Sequence, residues 1–288
     1  MDKLTCGALT IITLVVIGVC VLACVGVAAV AYLGLKVNDR AQAQETIASE
    51  LIVDSPATLL VRNPVGNVTI RAGDQADVIQ VEATKEVHSV HESWAERLLE
   101  QVDVQIIEDD DAQVRVAVTL PEESQIQFVR VNLLVTVPER VDLDVVNEAG
   151  QIRIVGTEGD VHVRSEAGSL RMEDVTIINQ CDVMNVTGDI DFQGQFPEPG
   201  ASEQPWEMLL KTETGDIDVA VPADSRFTLD AETETGQINS EFELEDLQSG
   251  SARGDLGQWL KGSVNQSSAS QNVILRTETG SITIKPLS

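Results

Sequence analysis

Aromatic side chains are scarce: five Phe, three Trp and one Tyr in 288 residues, or 3% of the chain. The hydrophobic fraction is nevertheless 43%, so a core can form. That core must be built from Val, Ile and Leu. Small β-branched side chains suit narrow, repetitive interiors made of stacked strands. Basic residues are also few, 19 against 47 acidic ones, for a net charge of −28. A field of that sign repels nucleic acid and anionic lipid headgroups. It favours cations, basic partners or simple solubility. Cysteine is rarer still. Cys6, Cys20 and Cys24 lie in an N-terminal apolar stretch, which leaves Cys181 alone in the rest of the chain. That part has no internal disulfide available, so packing and hydrogen bonds must stabilise it.

Signatures of catalysis are missing too. His88-Ser89-Val90-His91-Glu92 superficially matches a zinc-protease motif, but its order fits neither the forward nor the inverted form. No phosphate-cradling Walker loop is present. Solenoid enzymes that act on polysaccharides concentrate aromatic, basic and carboxylate groups in a groove, and no such cluster is readable here. The sequence therefore predicts a protein that is not an enzyme and that carries no cofactor.

What is present begins with residues 4–35, a run without a single charge. It exceeds the ~20 residues that a helix needs to cross a bilayer. The expectation is a single retained membrane helix within residues 1–37. A signal peptide cut after Ala29-Val30-Ala31 is the competing reading. Lys3 on one side and Lys36 and Arg40 on the other leave the orientation undecided. Residues 38–56 read as a polar stalk.

A short pattern then recurs: glycine, a polar residue, an aliphatic residue, any residue and usually a second apolar one. Its glycines are Gly66, Gly150, Gly159, Gly168, Gly188, Gly215, Gly236 and Gly280. Glycine permits a sharp turn at positive φ. The alternation behind it places apolar side chains on one face of a short strand. Such strands bury enough only when copies stack. Three copies share the lead-in Thr-Glu-Thr-Gly, ending at Gly215, Gly236 and Gly280. Glu148, Glu166, Glu213, Glu234 and Glu278 all stand two places before a glycine. Stacked in register, their carboxylates would lie about 4.8 Å apart and repel unless solvated or bridged by a cation. The Gly-Gly-x-Gly-x-Asp pattern of calcium-binding rolls is missing.

The remaining strands are expected at 58–63, 68–71, 78–87, 102–108, 114–120 and 127–137. Between them, 92–101 carries Trp94, Leu98 and Leu99 at helical spacing, suited to capping one end. Two segments break the pattern, 193–204 and 245–271, and both are expected to project as loops from an ectodomain spanning 57–288. Trp206 and Trp259 lie in or beside them. Arg253-Gly254-Asp255 matches an integrin-binding tripeptide, a match short enough to arise by chance.

The run Val131-Asn132-Leu133-Leu134-Val135-Thr136-Val137-Pro138-Glu139-Arg140-Val141-Asp142-Leu143-Asp144-Val145, followed by the Gly-polar-aliphatic repeats, resembles the putative bacterial adhesin family. That family is related to the "toast-rack" domains of cell-envelope stress proteins. The resemblance covers about residues 57–288. It implies an all-β, parallel β-helix-like solenoid behind a transmembrane anchor, with the bulk of the chain outside the cytoplasm. It also implies a binding or adhesion role. Envelope sensing through a membrane partner is the alternative, and no catalytic residue is carried over.

Overall fold

The computed structural model describes residues 41–53, 56–89, 91–109, 112–121, 129–196, 206–252, 256–265 and 271–287. The apolar run 4–35 lies outside the described residues. So do most of 193–204 and Arg253-Gly254-Asp255. Among the described residues, no helix is long and apolar enough to cross a membrane.

The fold is all-β, one 20-stranded sheet wrapped around a single core. Two sets of parallel pairings run through it. The first, in spatial order, joins β6 (Gln113–Thr119), β2 (Ala57–Val65), β8 (Val141–Ala149) and β10 (Glu158–Ala167). It continues through the second half of β11 (Leu170–Thr187) to β13 (Trp206–Thr214), β19 (Gln271–Thr279) and β15 (Phe227–Thr235). The second joins β7 (Val129–Val137), β3 (Val68–Ala72), β9 (Ile152–Val155) and the first half of β11. It continues to β12 (Ile190–Gln195), β14 (Ile217–Val221), β20 (Ile282–Pro286) and β16 (Ile238–Ser240).

The binary pattern explains both ladders. Val141–Ala149 alternates buried and half-buried residues, with Val141, Leu143 and Val145 inward. Val131, Leu133 and Val135 do the same from the facing ladder. Period-two alternation with β-branched side chains leaves each strand one apolar face, and the two inner faces meet.

Antiparallel strands finish both ends. In the first ladder β5 (Asp103–Asp109) pairs with β6, while β18 (Gly257–Val264) and β17 (Glu245–Ala252) extend β15. In the second, β4 (Val78–Ser89) pairs with β7 and β1 (Ala41–Ile52) pairs with β4. The helix α1 (Glu92–Gln101) packs on β1 and β4 through buried Ala95 and Leu98.

Two expectations are corrected. Residues 41–52 of the polar stalk form strand β1, because Ala43, Ile47 and Leu51 pack against the core as β1 runs along β4. Residues 245–252 and 257–264 do not project as a loop. They form the β17–β18 hairpin, whose Val264 is buried and whose Leu260 packs on the core. Chain order also differs from spatial order: β19–β20 sits between β13–β14 and β15–β16. The three Thr-Glu-Thr-Gly copies are thus immediate neighbours in space.

Trp206 is buried, stacked on Phe196 at a centroid distance of 4.3 Å. Phe196 meets Phe227 edge-on at 5.7 Å, and Phe227 meets Phe242 likewise. Much of the scarce aromatic content is therefore spent on one patch of core. Trp259 lies over Gly250, where an added Cβ would come within 2.7 Å of the indole nitrogen.

Cys181 is fully buried on β11. Burial pushes its thiol far above the usual range, and the Asp182 and Asp160 carboxylates add to the shift. A thiol held neutral and inaccessible does not react. Alkylation of the native protein at mildly alkaline pH is expected to leave the peptide containing Cys181 unmodified, and urea to expose it. Peptide mass mapping reads both states; labelling of Cys181 in the native protein would contradict the packing.

Candidate binding face

The corners between the ladders organise the candidate site. Gly66, Gly150, Gly168, Gly188, Gly215, Gly280 and Gly236 form a single column, each set against the carbonyl of its neighbour. Gly159 is not part of it. It opens β10 at the opposite corner, against the Val141 carbonyl. At three corners the polar residue after the glycine ties rungs together: Asn67 Oδ1 accepts from the Gln151 amide at 3.0 Å, Asp189 Oδ1 from the Asp216 amide at 2.9 Å, and Asp216 Oδ1 from the Ser281 amide at 2.7 Å.

Three places before each glycine stands an inward polar residue: Asn63, Asn147, Ser165, Asn185, Thr212, Thr277 and Thr233, all buried. Asn185 Nδ2 donates to the Gly168 and Gly188 carbonyls at 3.0 and 2.9 Å. Thr212, Thr277 and Thr233 donate to the carbonyls of Gly188, Gly215 and Gly280 at 3.1, 3.0 and 2.8 Å. This column satisfies the carbonyls that the turn removes from the ladders. Ser165 is the short member; its hydroxyl has no partner among the described residues. The sequence showed these positions as part of the lead-in. Nothing in the sequence marks them off from the glutamates beside them, because a buried polar residue looks the same there as an exposed one.

The glutamates do align. Flanking pairs place Glu166 between Glu148 and Val186, and Glu213 between Val186 and Glu278, with Glu234 beyond Glu278. The row is thus Glu148, Glu166, Val186, Glu213, Glu278, Glu234, split into two and three by one valine. Among the described residues, no group of three or more His, Cys, Asp or Glu is placed to hold a metal ion.

A second outward row runs beside it, two residues earlier in each strand: Arg62, Val146, Arg164, Met184, Lys211, Arg276 and Glu232. The two rows line a surface groove of about 410 Å³ around Met184 and Val186, which are 38% and 40% exposed. Arg164 and Glu166 flank it on β10, and Lys211 and Glu213 on β13. Arg62 is committed to Asp144 at 2.9 Å, and Arg276 to Asp230 at 2.7 Å. Arg164, Lys211, Glu166 and Glu213 make no ion pair or hydrogen bond among the described residues. The sequence signal for this groove was weak, since Met184 and Val186 interrupt the charged rows at one rung only.

Asp230 ties three strands together at the end of this face. It accepts from Lys261 on β18 and from Arg276 on β19. Burial alone would raise its pKa. The Lys261 hydrogen bond and the Arg276 charge outweigh that and hold it below the usual carboxylate range. A depressed folded pKa contributes stability above the unfolded value, and that contribution is lost as pH falls through the folded value. Asp230→Asn should therefore lose stability at neutral pH and show a shallower fall under acid. Urea midpoints measured across the acid limb check this; parallel curves for the two proteins would count against the tie.

No family model matches the chain, and no curated protein matches it. Among solved structures it is similar to a putative cell adhesion protein from Clostridium sporogenes, at 14% identity over 84% of this chain and 100% of that one, with TM-score 0.41. It is also similar to a putative adhesin from Bacteroides fragilis, at 13% identity over 84% and 97%, with TM-score 0.39. A putative adhesin from Parabacteroides merdae follows, at 9% identity over 85% and 97%, with TM-score 0.32.

Proposed function

We propose that this chain is a membrane-tethered, extracytoplasmic β-solenoid that binds a partner without catalysing a reaction. The observation that carries the reading is the groove on the first ladder. It exposes Met184 and Val186 between charged side chains that have no partner among the described residues. Exposed apolar surface rimmed by polar groups marks a recognition surface. Its floor is a rigid parallel ladder, which suits a face that must hold its shape on binding. The tether is supported by the uncharged run 4–35, which is long enough to span a bilayer.

The test uses the full-length protein in native membranes. Alkaline extraction should leave it in the membrane, with the N-terminal residues intact by mass. Envelope material captured with the wild type should be lost with Met184→Asp, whose side chain is exposed and leaves the fold alone. Release by alkali would remove the tether, and equal capture by both proteins would remove the groove from the reading.

A further inference from the structure

The groove has an internal symmetry that suggests its ligand. On β11, Met184 and Val186 form an apolar bar. The strand on either side supplies one cation level with Met184 and one carboxylate level with Val186. These are Arg164 and Glu166 on β10, and Lys211 and Glu213 on β13. Two like cations therefore face one end of the bar and two like carboxylates the other. In a chain of net charge −28, a pair of uncommitted basic side chains at one spot stands out. Elsewhere on the ladders Arg62, Arg153, Arg171 and Arg276 are ion-paired, as is Lys261 on β18. Arg71 donates to Thr136, and Lys285 on β20 is a single exposed cation without an ion pair among the described residues.

We infer that this groove binds a dipeptide-like zwitterion. Its carboxylate faces Arg164 and Lys211, its ammonium faces Glu166 and Glu213, and an apolar side chain rests on Met184 and Val186. The spacing supports a peptide. The two charged rows are separated by two residues of strand, about 6.8 Å at ~3.4 Å per residue. An extended dipeptide covers about the same length, since an extended chain spans at most ~3.6 Å per residue. A ligand with the pitch of the strand beneath it meets both rows at once. A purely anionic ligand would meet the glutamates, and a purely cationic one would meet Arg164 and Lys211; only a molecule carrying both charges satisfies all four groups. This rests on the binding reading above and names the chemistry of the bound partner.

The experiment titrates full-length protein in detergent with alanyl-leucine, its N-acetyl form, its C-terminal amide, and phosphoethanolamine. Calorimetry or ligand-observed NMR reads the binding. Alanyl-leucine should bind saturably, and each capped form about tenfold more weakly. Arg164→Gln should weaken alanyl-leucine by about the same factor and leave the amide form unchanged. Glu213→Gln should weaken alanyl-leucine and leave the N-acetyl form unchanged. Independent, additive losses would overturn the assignment of the two ends. So would phosphoethanolamine binding while alanyl-leucine does not, which would indicate a lipid headgroup instead. No saturable binding by any probe, with envelope capture by the wild type intact, sinks the zwitterion site and leaves the binding scaffold standing. Loss of capture with dipeptide binding retained does the reverse.

Discussion

Gly188→Ala is expected to destabilise the protein by about 3–5 kcal/mol, enough to unfold it or to leave only a loosened stack. A Cβ at Gly188 would lie 2.2 Å from the Gly168 carbonyl oxygen and 2.6 Å from its carbon. Both atoms belong to backbone held from the other side by the next corner, so neither can yield without moving the column. The φ of +134° adds a second penalty, since side-chain-bearing residues rarely adopt that conformation. Gly156→Ala is the matched control. Its φ is +71°, and the nearest atom to an added Cβ is the Ala72 Cβ at 3.5 Å. There the cost should be near 1 kcal/mol, the ordinary expense of a left-handed alanine. Urea unfolding of the two variants decides the matter. Equal midpoints would mean that the glycine column is a preference of the turn and not a steric requirement of stacking.

Asn185→Leu is the second large effect, expected to cost about 2–3 kcal/mol. Asn185 is 4% exposed, and its amide spans two successive corners, donating to the Gly168 and Gly188 carbonyls. Leucine keeps the bulk but removes the donor. The Gly188 carbonyl still receives the Thr212 hydroxyl at 3.1 Å, so the Gly168 carbonyl bears the loss. Asn185→Thr supplies the diagnostic comparison. Threonine occupies this place in three neighbouring rungs, where it donates to the carbonyl of the adjacent corner. It should therefore recover the Gly168 bond and most of the stability. If leucine and threonine destabilise alike, shape is what matters at this position and the hydrogen bond does not.

Much of the repeat is legible in the residues themselves. Positive φ at the Gly-polar-aliphatic motif follows from the chemistry of glycine, and the alternation behind it follows from the pleat. The expected strands at 68–71, 78–87 and 114–120 fall inside or within a residue of β3, β4 and β6. The helix at 92–101 is α1. The stalk was misread because Ala43, Ile47 and Leu51 are spaced too widely to show a strand pattern. Strand β1 exists because β4 offers it a partner along its whole length. The pairing of β17 (Glu245–Ala252) with β18 (Gly257–Val264) is hidden in the sequence for a similar reason. Serine and glycine at 249–251 read as loop, yet β18 holds them in register.

The candidate groove lay further from view. Its charged residues are ordinary in sequence, and Met184 and Val186 fit the alternating pattern of β11 as exposed positions. What makes them a site is the company they keep. Arg164 is 20 residues away from Met184 along the chain, and Lys211 is 27 residues away, yet they flank it on adjacent strands. Such proximity depends on register, which a sequence specifies only through the turns and the partner strands.

By itself, then, the sequence determined the building unit: a glycine corner, a short aliphatic strand and a polar lead-in, with too few aromatics and cations for most other interiors. The order of stacking was decided only in three dimensions. The shared Thr-Glu-Thr-Gly lead-in does not set the order of its three rungs, so the pairing of β19–β20 between β13–β14 and β15–β16 emerges from which inner faces meet when the whole core closes. The physical reason is range. Turn geometry and alternation act over a few residues, whereas rung order and the groove arise from contacts between segments far apart in the chain.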